Sequence, residues 1–149
     1  MKATPYLNFN GNCRQAFETY KQVFGGDVFQ ITYGDAPPPP AGSPPPPEGC
    51  GDIPASAKDR IMHVTLAHGQ APFLMGSDMP PSMEKSGAGG LAVALNCDDN
   101  AEAERVFKAL AEGGTVQMPM AETFWAERFG MCVDRFGTPW LINGIYKQP

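Results

Sequence analysis

The hydrophobic residues of the chain recur with either the periodicity of a helix or that of a strand, and the two kinds of segment follow in the same order in both halves. Near the N-terminus, residues 6–9 (YLNF) predict a short strand, and Gly11-Asn12 opens a stretch in which apolar residues recur every three or four positions. These residues form one predicted helical stripe: Cys13, Ala16, Phe17, Tyr20, Val23 and Phe24. Gly25-Gly26 is expected to end the helix, because the residue that follows a helix often takes a left-handed conformation that favours glycine.

Three further strands are predicted after this helix. Residues 28–33 alternate, with Phe29, Ile31 and Tyr33 on one face, and residues 61–68 and 73–77 read as a hairpin around His68-Gly69-Gln70. The first half is therefore predicted to be a βαβββ unit.

The second half repeats this order. Residues 91–97 predict a strand, residues 98–100 supply helix N-cap candidates, and residues 103–110 carry a second helical stripe that ends at Gly113-Gly114. Asn8 and Asn96 are separated by 88 positions, as are Gly25 and Gly113, whereas Leu74 and Leu141 are separated by 67. The register therefore falls by about 20 positions between the two halves, which indicates a duplicated unit with an insertion in its first copy.

The predicted fold class is α+β, with two βαβββ modules in tandem inside a single domain spanning residues 1–149. Module one covers about residues 3–78 and module two about residues 89–147. The insertion, at about residues 34–57, is rich in proline and glycine and includes two runs of four prolines. We expect a long irregular loop there. Docking of the proline runs to a partner as a polyproline helix is the alternative.

Composition narrows the functional classes. The 149 residues suit one domain, and 11 Lys+Arg against 16 Asp+Glu give a net charge of -5, so the basic footprint of a nucleic-acid-binding protein is missing. No apolar run approaches the roughly 20 residues of a membrane span, and residues 1–8 lack the apolar core of a secretory signal. We therefore expect a cytoplasmic protein that binds neither nucleic acid nor membrane.

The four cysteines include no C-x-x-C pair, so neither a disulfide framework nor a structural zinc site is predicted. Cys13, Cys97 and Cys132 lie in apolar-periodic stretches and are expected to be buried thiols. Cys50 lies in the insertion, where an exposed thiol is expected.

Several motifs together resemble one known family. They are residues 5–11 (PYLNFNG), 16–20 (AFETY), 23–26 (VFGG), 61–64 (IMHV), 77–78 (SD), 113–114 (GG), 124–125 (FW) and 129–140 (FGMCVDRFGTPW). The chain resembles the vicinal-oxygen-chelate superfamily of glyoxalases, ring-cleaving dioxygenases and bleomycin- and fosfomycin-resistance proteins, and within it the PhnB-like branch. The resemblance implies curved mixed sheets that form a cup, the glyoxalase/bleomycin-resistance-like fold, and assembly as a homodimer.

The methyltransferase label often attached to this branch has no support in the residues. A nucleotide-like cofactor normally needs a glycine-rich loop between a strand and a helix of a parallel sheet, and the sequence shows no such loop. We therefore expect no cofactor.

Metal-dependent relatives hold a divalent ion with a His on the first strand, a Glu on the fourth, a His at the start of the fifth and a Glu on the eighth. Carried onto this chain, those positions fall near Pro5 or Tyr6, Met75, Ala92 and Leu141. None of these is a normal ligand, so no metal site is expected there. His63 remains the one candidate catalytic residue, because it lies on a strand and histidine is the side chain best suited to proton transfer at physiological pH.

The candidate ligand-binding residues are polar groups on strands together with the aromatic and charged residues around the last hairpin. They are Tyr6, Asn8, Thr65, Met75, Asp78, Phe124, Trp125, Arg128, Trp140 and Asn143. The period-two pattern favours core packing for Phe129, Phe136 and Trp140, although Trp140 stays among the candidates.

Two functional classes follow from these residues. The first is a non-catalytic or weakly catalytic homodimer that sequesters a small organic ligand. The alternative is a metal-dependent lyase, isomerase or transferase of the glyoxalase type, with a relocated site around His63.

Overall fold

The computed structural model describes residues 3–38, 41–42, 53–84 and 91–147, and the chain divides into two compact units, Met1–Lys85 and Ser86–Pro149. Each unit contains four strands and one α-helix in the order βαβββ. The elements are β1 (Tyr6–Phe9), α1 (Cys13–Phe24), β2 (Asp27–Thr32), β3 (Ile61–His68), β4 (Ala71–Asp78), β5 (Val93–Asn96), α2 (Asn100–Ala111), β6 (Thr115–Ala121), β7 (Phe129–Val133) and β8 (Pro139–Asn143). The α+β class and the tandem βαβββ order are confirmed.

Each unit contains one mixed four-stranded sheet. The strand order is β1-β4-β3-β2 in module one and β5-β8-β7-β6 in module two. The pairs β1·β4 and β5·β8, at one edge of each sheet, are parallel, and the remaining pairs are antiparallel. In each unit the helix packs against one face of the sheet. Alternate residues of each strand point away from the helix, to the opposite face.

The strand registers show how the two modules correspond. Tyr6 pairs with Met75 in module one and Ala94 pairs with Leu141 in module two, so β1 maps onto β5 with an offset of 88 and β4 maps onto β8 with an offset of 66. Thr65, the β3 partner of Met75, maps onto Met131 with the same offset of 66. The structural equivalent of Leu141 is therefore Met75 rather than Leu74, and the register falls by 22 positions rather than about 20.

The core of module one forms where α1 meets its sheet. The predicted stripe is confirmed for five of its members, which are buried, whereas Phe24 at the end of the helix is half-buried. Gly76 permits this close packing, because a Cβ at that position would lie 2.8 Å from Leu7 O and 2.8 Å from a ring carbon of Phe17. Gly25, at φ 73°, ends the helix as predicted, and its amide donates to Lys21 O at 2.8 Å.

The core of module two depends on α2 in the same way. Ala103, Val106 and Leu110 are buried, whereas Phe107 is half-buried against the position of Gly130. The predicted N-cap is confirmed as Asp99, whose side chain accepts from the Glu102 amide at 2.7 Å. The Glu102 carboxylate accepts in return from the amide of Asp98, the residue before the N-cap, at 3.1 Å, so the arrangement resembles a capping box.

Three predicted strands differ at their ends from the observed ones. β2 ends at Thr32 rather than at residue 33, because the register shifts after Ile31 and the Tyr33 amide bonds to Arg60 O. β4 is longer than predicted and begins at Ala71, since the turn at Gly69 is tight. β5 is shorter than predicted and covers Val93–Asn96.

The insertion is closed at its base by the backbone. The Gly34 amide donates to Lys58 O at 2.8 Å, and the described part of residues 34–57 contains only one short 3-10 turn, Ala55–Ala57. The expectation for Cys50 falls outside the described residues, as does most of the two proline runs. No helix in the described part of the chain has the length and apolar character needed to span a bilayer.

One buried carboxylate joins three elements of module one. Asp78, at the end of β4, is 1% exposed. Its Oδ1 accepts from the amides of Gly11 and Cys13 at 2.8 and 3.0 Å, and its Oδ2 accepts from the Ile61 amide at 2.9 Å. The carboxylate therefore fixes the start of α1 and the start of β3 relative to β4, in the manner of a shared cap.

We predict that Asp78→Ala lowers the free energy of unfolding by about 3 kcal/mol or more, because it leaves backbone amides without acceptors in a buried site. Urea denaturation followed by circular dichroism measures the loss. Asp35→Ala is the matched control, since the Asp35 carboxylate accepts from the Thr32 hydroxyl at an exposed site. A loss no larger than that of the control would show that Asp78 is not a structural centre.

Candidate functional site

A hydrogen-bonded group of three side chains lies on the face of the module-one sheet opposite α1. The Tyr6 hydroxyl is 3.2 Å from His63 Nδ1, and His63 Nε2 is 3.1 Å from the Thr65 hydroxyl. We call Tyr6, His63 and Thr65 the polar triad. Tyr6 is 45% exposed and the other two side chains are half-buried, so solvent or a ligand reaches the group.

The strand order brings the polar triad together. Met75 on β4 pairs with Tyr6 on one side and with Thr65 on the other, so the Tyr6 ring reaches His63 across β4. Phe9 contacts Phe17 of α1, and alternation along β1 therefore places Tyr6 and Asn8 on the opposite face. Four of the predicted residues thus share one sheet face with His63: Tyr6, Asn8, Thr65 and Met75.

On the equivalent face of module two, the three positions that correspond to the polar triad are apolar or aromatic. The offsets of 88 and 66 place Ala94, Phe129 and Met131 where module one has Tyr6, His63 and Thr65. The two sheets therefore differ in chemistry at these positions, with the polar triad in module one.

Three rings form a ladder on this second face. The Phe124 and Trp125 rings are edge-to-face with centroids 4.7 Å apart, and the Trp125 and Phe129 rings are edge-to-face at 5.0 Å. We call Phe124, Trp125 and Phe129 the aromatic shelf. Phe124, at its outer end, is 89% exposed, while Phe129 is buried, so the shelf runs from solvent into the core.

Asn143 links the aromatic shelf to the sheet. Its Oδ1 accepts from Trp125 Nε1 at 3.2 Å, and its amide nitrogen donates to Asn96 Oδ1 at 3.2 Å. The Tyr146 hydroxyl donates to the same Asn96 oxygen at 2.9 Å. The structure thus brings together the predicted residues Phe124, Trp125 and Asn143.

Arg128 lies apart from the shelf. Its guanidinium pairs with Glu104 of α2 at 3.0 Å, and both side chains are about half exposed. The neighbouring Glu127 accepts from the Asn100 amide nitrogen at 2.7 Å, also at α2.

Asp78 and Trp140 are enclosed on the helix side of their sheets. Asp78 holds backbone amides, and Trp140 donates from Nε1 to Asp134 Oδ2 at 2.9 Å. Core packing, which the period-two pattern favours for Trp140, agrees with its complete burial. The structure therefore places these two candidates away from the polar triad and the aromatic shelf.

The positions inherited from metal-dependent relatives carry no set of metal donors. Tyr6 pairs with Met75, and Leu141 pairs with Ala94, so the position beside Leu141 is Ala94 rather than Ala92, which precedes β5. One phenol, one thioether and two aliphatic side chains do not fit a divalent cation, which needs charge compensation and several lone pairs. Within residues 3–38, 41–42, 53–84 and 91–147, no three His, Cys, Asp or Glu side chains cluster as a metal site elsewhere.

The thiols of the described residues are poor nucleophiles. Burial, reinforced by the negative charge of Asp78, raises the pKa of Cys13 far above its usual range. Burial likewise raises the pKa of Cys97 and of Cys132 to about 11. The expected burial is confirmed for Cys13 and Cys132, whereas Cys97 is only half-buried, because it follows the end of β5.

Comparison with known proteins decides the family. A model of the Glyoxalase/Bleomycin resistance protein/Dioxygenase superfamily matches residues 5–142. The chain belongs to this superfamily. The superfamily resemblance seen in the motifs is therefore confirmed.

Related proteins match this chain over nearly its whole length. Protein YjdN of Escherichia coli (strain K12) is 32% identical over 150 residues, which cover 100% of this chain and 99% of that protein. The crystal structure of protein PA1353 from Pseudomonas aeruginosa is 46% identical, with a TM-score of 0.80 and 96% of each chain covered. The PhnB protein from Bacillus cereus, at 18% identity and a TM-score of 0.64, covers 96% of this chain and 98% of its own and shares the fold.

Sequence reasoning missed two residues that hold the aromatic shelf. Tyr146 lies beyond β8, where no periodic pattern marks its role. Asn96 was visible as the repeat partner of Asn8, and it carries a hydrogen-bond acceptor at the same place on its sheet. That repeat was the signal in the sequence that pointed to Asn96.

We predict that Cys13, Cys97 and Cys132 react with iodoacetamide at pH 8 more slowly than glutathione, by about tenfold or more, because burial raises each pKa and leaves little thiolate at that pH. The higher intrinsic nucleophilicity of a more basic thiolate offsets only part of this loss. Mass spectrometry of time points, with peptide mapping, gives the rate for each residue. Labelling of Cys97 at the glutathione rate would contradict the raised pKa.

Proposed function

We propose that the polar triad is the binding site for a small organic ligand that carries an oxygen function, and that the protein sequesters this ligand or performs weak chemistry on it without a resident metal. The single observation that carries the proposal is the chain from Tyr6 through His63 to Thr65 on a partly exposed sheet face. In module two the equivalent positions hold no polar side chain.

The chemistry of imidazole explains what this chain offers a ligand. A neutral His63 has one N–H donor and one acceptor nitrogen. If the Tyr6 hydroxyl donates to Nδ1, then Nε2–H donates to Thr65, and the Thr65 hydrogen is free to donate to a ligand. In the other tautomer the Thr65 hydroxyl donates to Nε2, and the Tyr6 hydrogen is free instead.

Either tautomer therefore presents one hydroxyl donor at one end of the chain and hydroxyl lone pairs at the other. A carbonyl or hydroxyl oxygen of a small molecule matches this pattern, and Met75 between Tyr6 and Thr65 provides an adaptable apolar floor. His63 can also relay a proton between the Tyr6 and Thr65 hydroxyls, because each ring nitrogen faces one of them. A ligand bound to either hydroxyl would exchange its proton through that hydroxyl.

The aromatic shelf is a second binding surface in this proposal. Exposed Phe124 and half-buried Trp125 offer ring faces and edges to an apolar or aromatic ligand group. Assembly of the chain as a homodimer remains part of the proposal, to be checked by light scattering.

The alternative is a metal-dependent lyase, isomerase or transferase with a relocated site at His63. In that case an ion must displace the Tyr6 or Thr65 hydroxyl from one ring nitrogen of His63, because each nitrogen already faces a hydroxyl. This cost favours the metal-free proposal.

We predict that a thermal-shift screen of small carbonyl, hydroxyl and carboxylic compounds finds stabilising ligands, and that His63→Ala weakens the best of them about tenfold, since it removes the centre of the chain. His68→Ala is the matched control, because the chain has two histidines and His68 stacks on Phe73 at the end of the hairpin. Isothermal calorimetry measures the affinities.

Two outcomes would contradict the proposal. One is that His63→Ala and His68→Ala bind every stabilising compound as tightly as the original chain. The other is elemental analysis that finds about one dialysis-resistant Ni, Zn, Mn or Fe ion per chain that His63→Ala loses, which would establish the alternative.

A further inference from the structure

We infer that Tyr146 is a positioning residue for Trp125, acting through the side chains of Asn96 and Asn143, and that it thereby sets how a planar aromatic ligand stacks on the aromatic shelf. The part of this inference that concerns a ligand rests on the proposed function. The part that concerns the position of Trp125 stands on the hydrogen bonds of module two alone.

The side-chain bonds form one directed chain. The Tyr146 hydroxyl donates to Asn96 Oδ1, which also accepts from the Asn143 amide nitrogen. Asn143 Oδ1 then accepts from the Trp125 indole N–H. Asn96 serves as the acceptor in both of its bonds, so the Tyr146 hydroxyl helps to hold the Asn96 oxygen where Asn143 needs it.

Asn143 transmits this constraint because it is buried and has little freedom. Its amide nitrogen also lies 3.4 Å from Leu95 O, on the strand that neighbours β8. Rotation of the Asn143 amide would turn its nitrogen toward the indole N–H and place two donors together. The amide orientation that Asn96 selects is therefore the one that accepts from Trp125.

The backbone places Tyr146 and Trp125 beside each other. The Lys147 amide donates to Trp125 O at 2.8 Å, the Glu127 amide donates to Ile145 O at 2.9 Å, and Ala126 forms an antiparallel bridge with Tyr146. The Lys147 ammonium also pairs with the Glu122 carboxylate, and this hydrogen bond lowers the pKa of Glu122. The segment of residues 145–147 thus holds the backbone of Trp125, while the Tyr146 hydroxyl orients the indole ring of Trp125 through Asn96 and Asn143.

The position of the ring decides what the aromatic shelf offers. The indole packs edge-to-face between Phe124 and Phe129, so a rotation of the indole changes both contacts and the ring face that a ligand meets. Tyr146 itself is 52% exposed, so removal of its hydroxyl creates no cavity in the core. Its effect on Trp125 can therefore be measured without unfolding the protein.

The test uses the indole N–H signals in a proton–nitrogen correlation spectrum. The chain has two tryptophans, so two signals are expected, and Trp140, which donates to Asp134 in the core, is an internal reference. We expect Tyr146→Phe and Asn96→Leu to shift the Trp125 signal and to speed its hydrogen exchange about fivefold, while the Trp140 signal stays in place.

Two variants separate positioning from general loosening. Asn96→Asp keeps an acceptor for both donors and is expected to retain the original Trp125 signal. Tyr33→Phe removes a tyrosine hydroxyl from module one, where it donates to Asp78 O, and is expected to leave Trp125 unchanged. An unshifted Trp125 signal in both Tyr146→Phe and Asn96→Leu, or an Asn96→Asp spectrum like that of Asn96→Leu, would overturn the inference.

Binding of naphthoate, a planar aromatic probe, gives the functional readout. We expect Tyr146→Phe to weaken naphthoate binding about threefold or more, with Tyr33→Phe equal to the original chain. Failure of the original chain to bind naphthoate would contradict the ligand part and the role of the shelf in the proposed function, whereas the indole spectra would still decide the positioning part. Unchanged naphthoate affinity in Tyr146→Phe would overturn the claim that Tyr146 sets stacking.

Discussion

The buried carboxylate of Asp78 is the interaction on which the candidate site depends. It accepts from amides at the start of α1 and at the start of β3, and it stands at the end of β4, so one side chain sets three elements relative to one another. His63 lies two residues beyond Ile61, whose amide Asp78 holds, and Tyr6 lies on β1 beside β4. A change in register at either place would separate the Tyr6 hydroxyl from the imidazole, so the chemistry of the polar triad is a consequence of a structural bond on the opposite side of the sheet.

The two modules share a topology but differ in chemistry. The same backbone positions carry Tyr6, His63 and Thr65 in one sheet and aliphatic, aromatic and thioether side chains in the other. These side chains lie on the sheet face that the helix does not cover, so packing against the helix does not constrain them. Superfamily membership fixes the fold and leaves this face free to vary, so function must be argued from the residues that occupy it.

Much of the fold could be predicted from the chain because its signals are local. Helical stripes, paired glycines and the acidic N-cap at Asp99 each identify one element, and the repeat of 88 positions links the two modules. The polar triad was reached only in part, since strand alternation indicates which residues share a face but not that the Tyr6 ring spans β4 to meet His63. Asp78 was a candidate as a polar group on a strand, and Arg128 was one as a charged residue near the last hairpin. Their partners, the backbone amides at one residue and Glu104 at the other, are set by tertiary contacts that no local pattern encodes.

The central claim is that His63 belongs to a ligand-binding chain of hydroxyl groups rather than to a metal site. A long-range proton–nitrogen spectrum of the two imidazoles tests it most directly, because it reports the tautomer and whether each ring nitrogen is protonated, hydrogen-bonded or bound to a metal. The account predicts that a stabilising oxygen-bearing compound shifts both ring nitrogens of His63, leaves those of His68 in place, and gives the same result in the presence of a chelator. A His63 spectrum that responds to one equivalent of a divalent cation and not to any organic compound would contradict it.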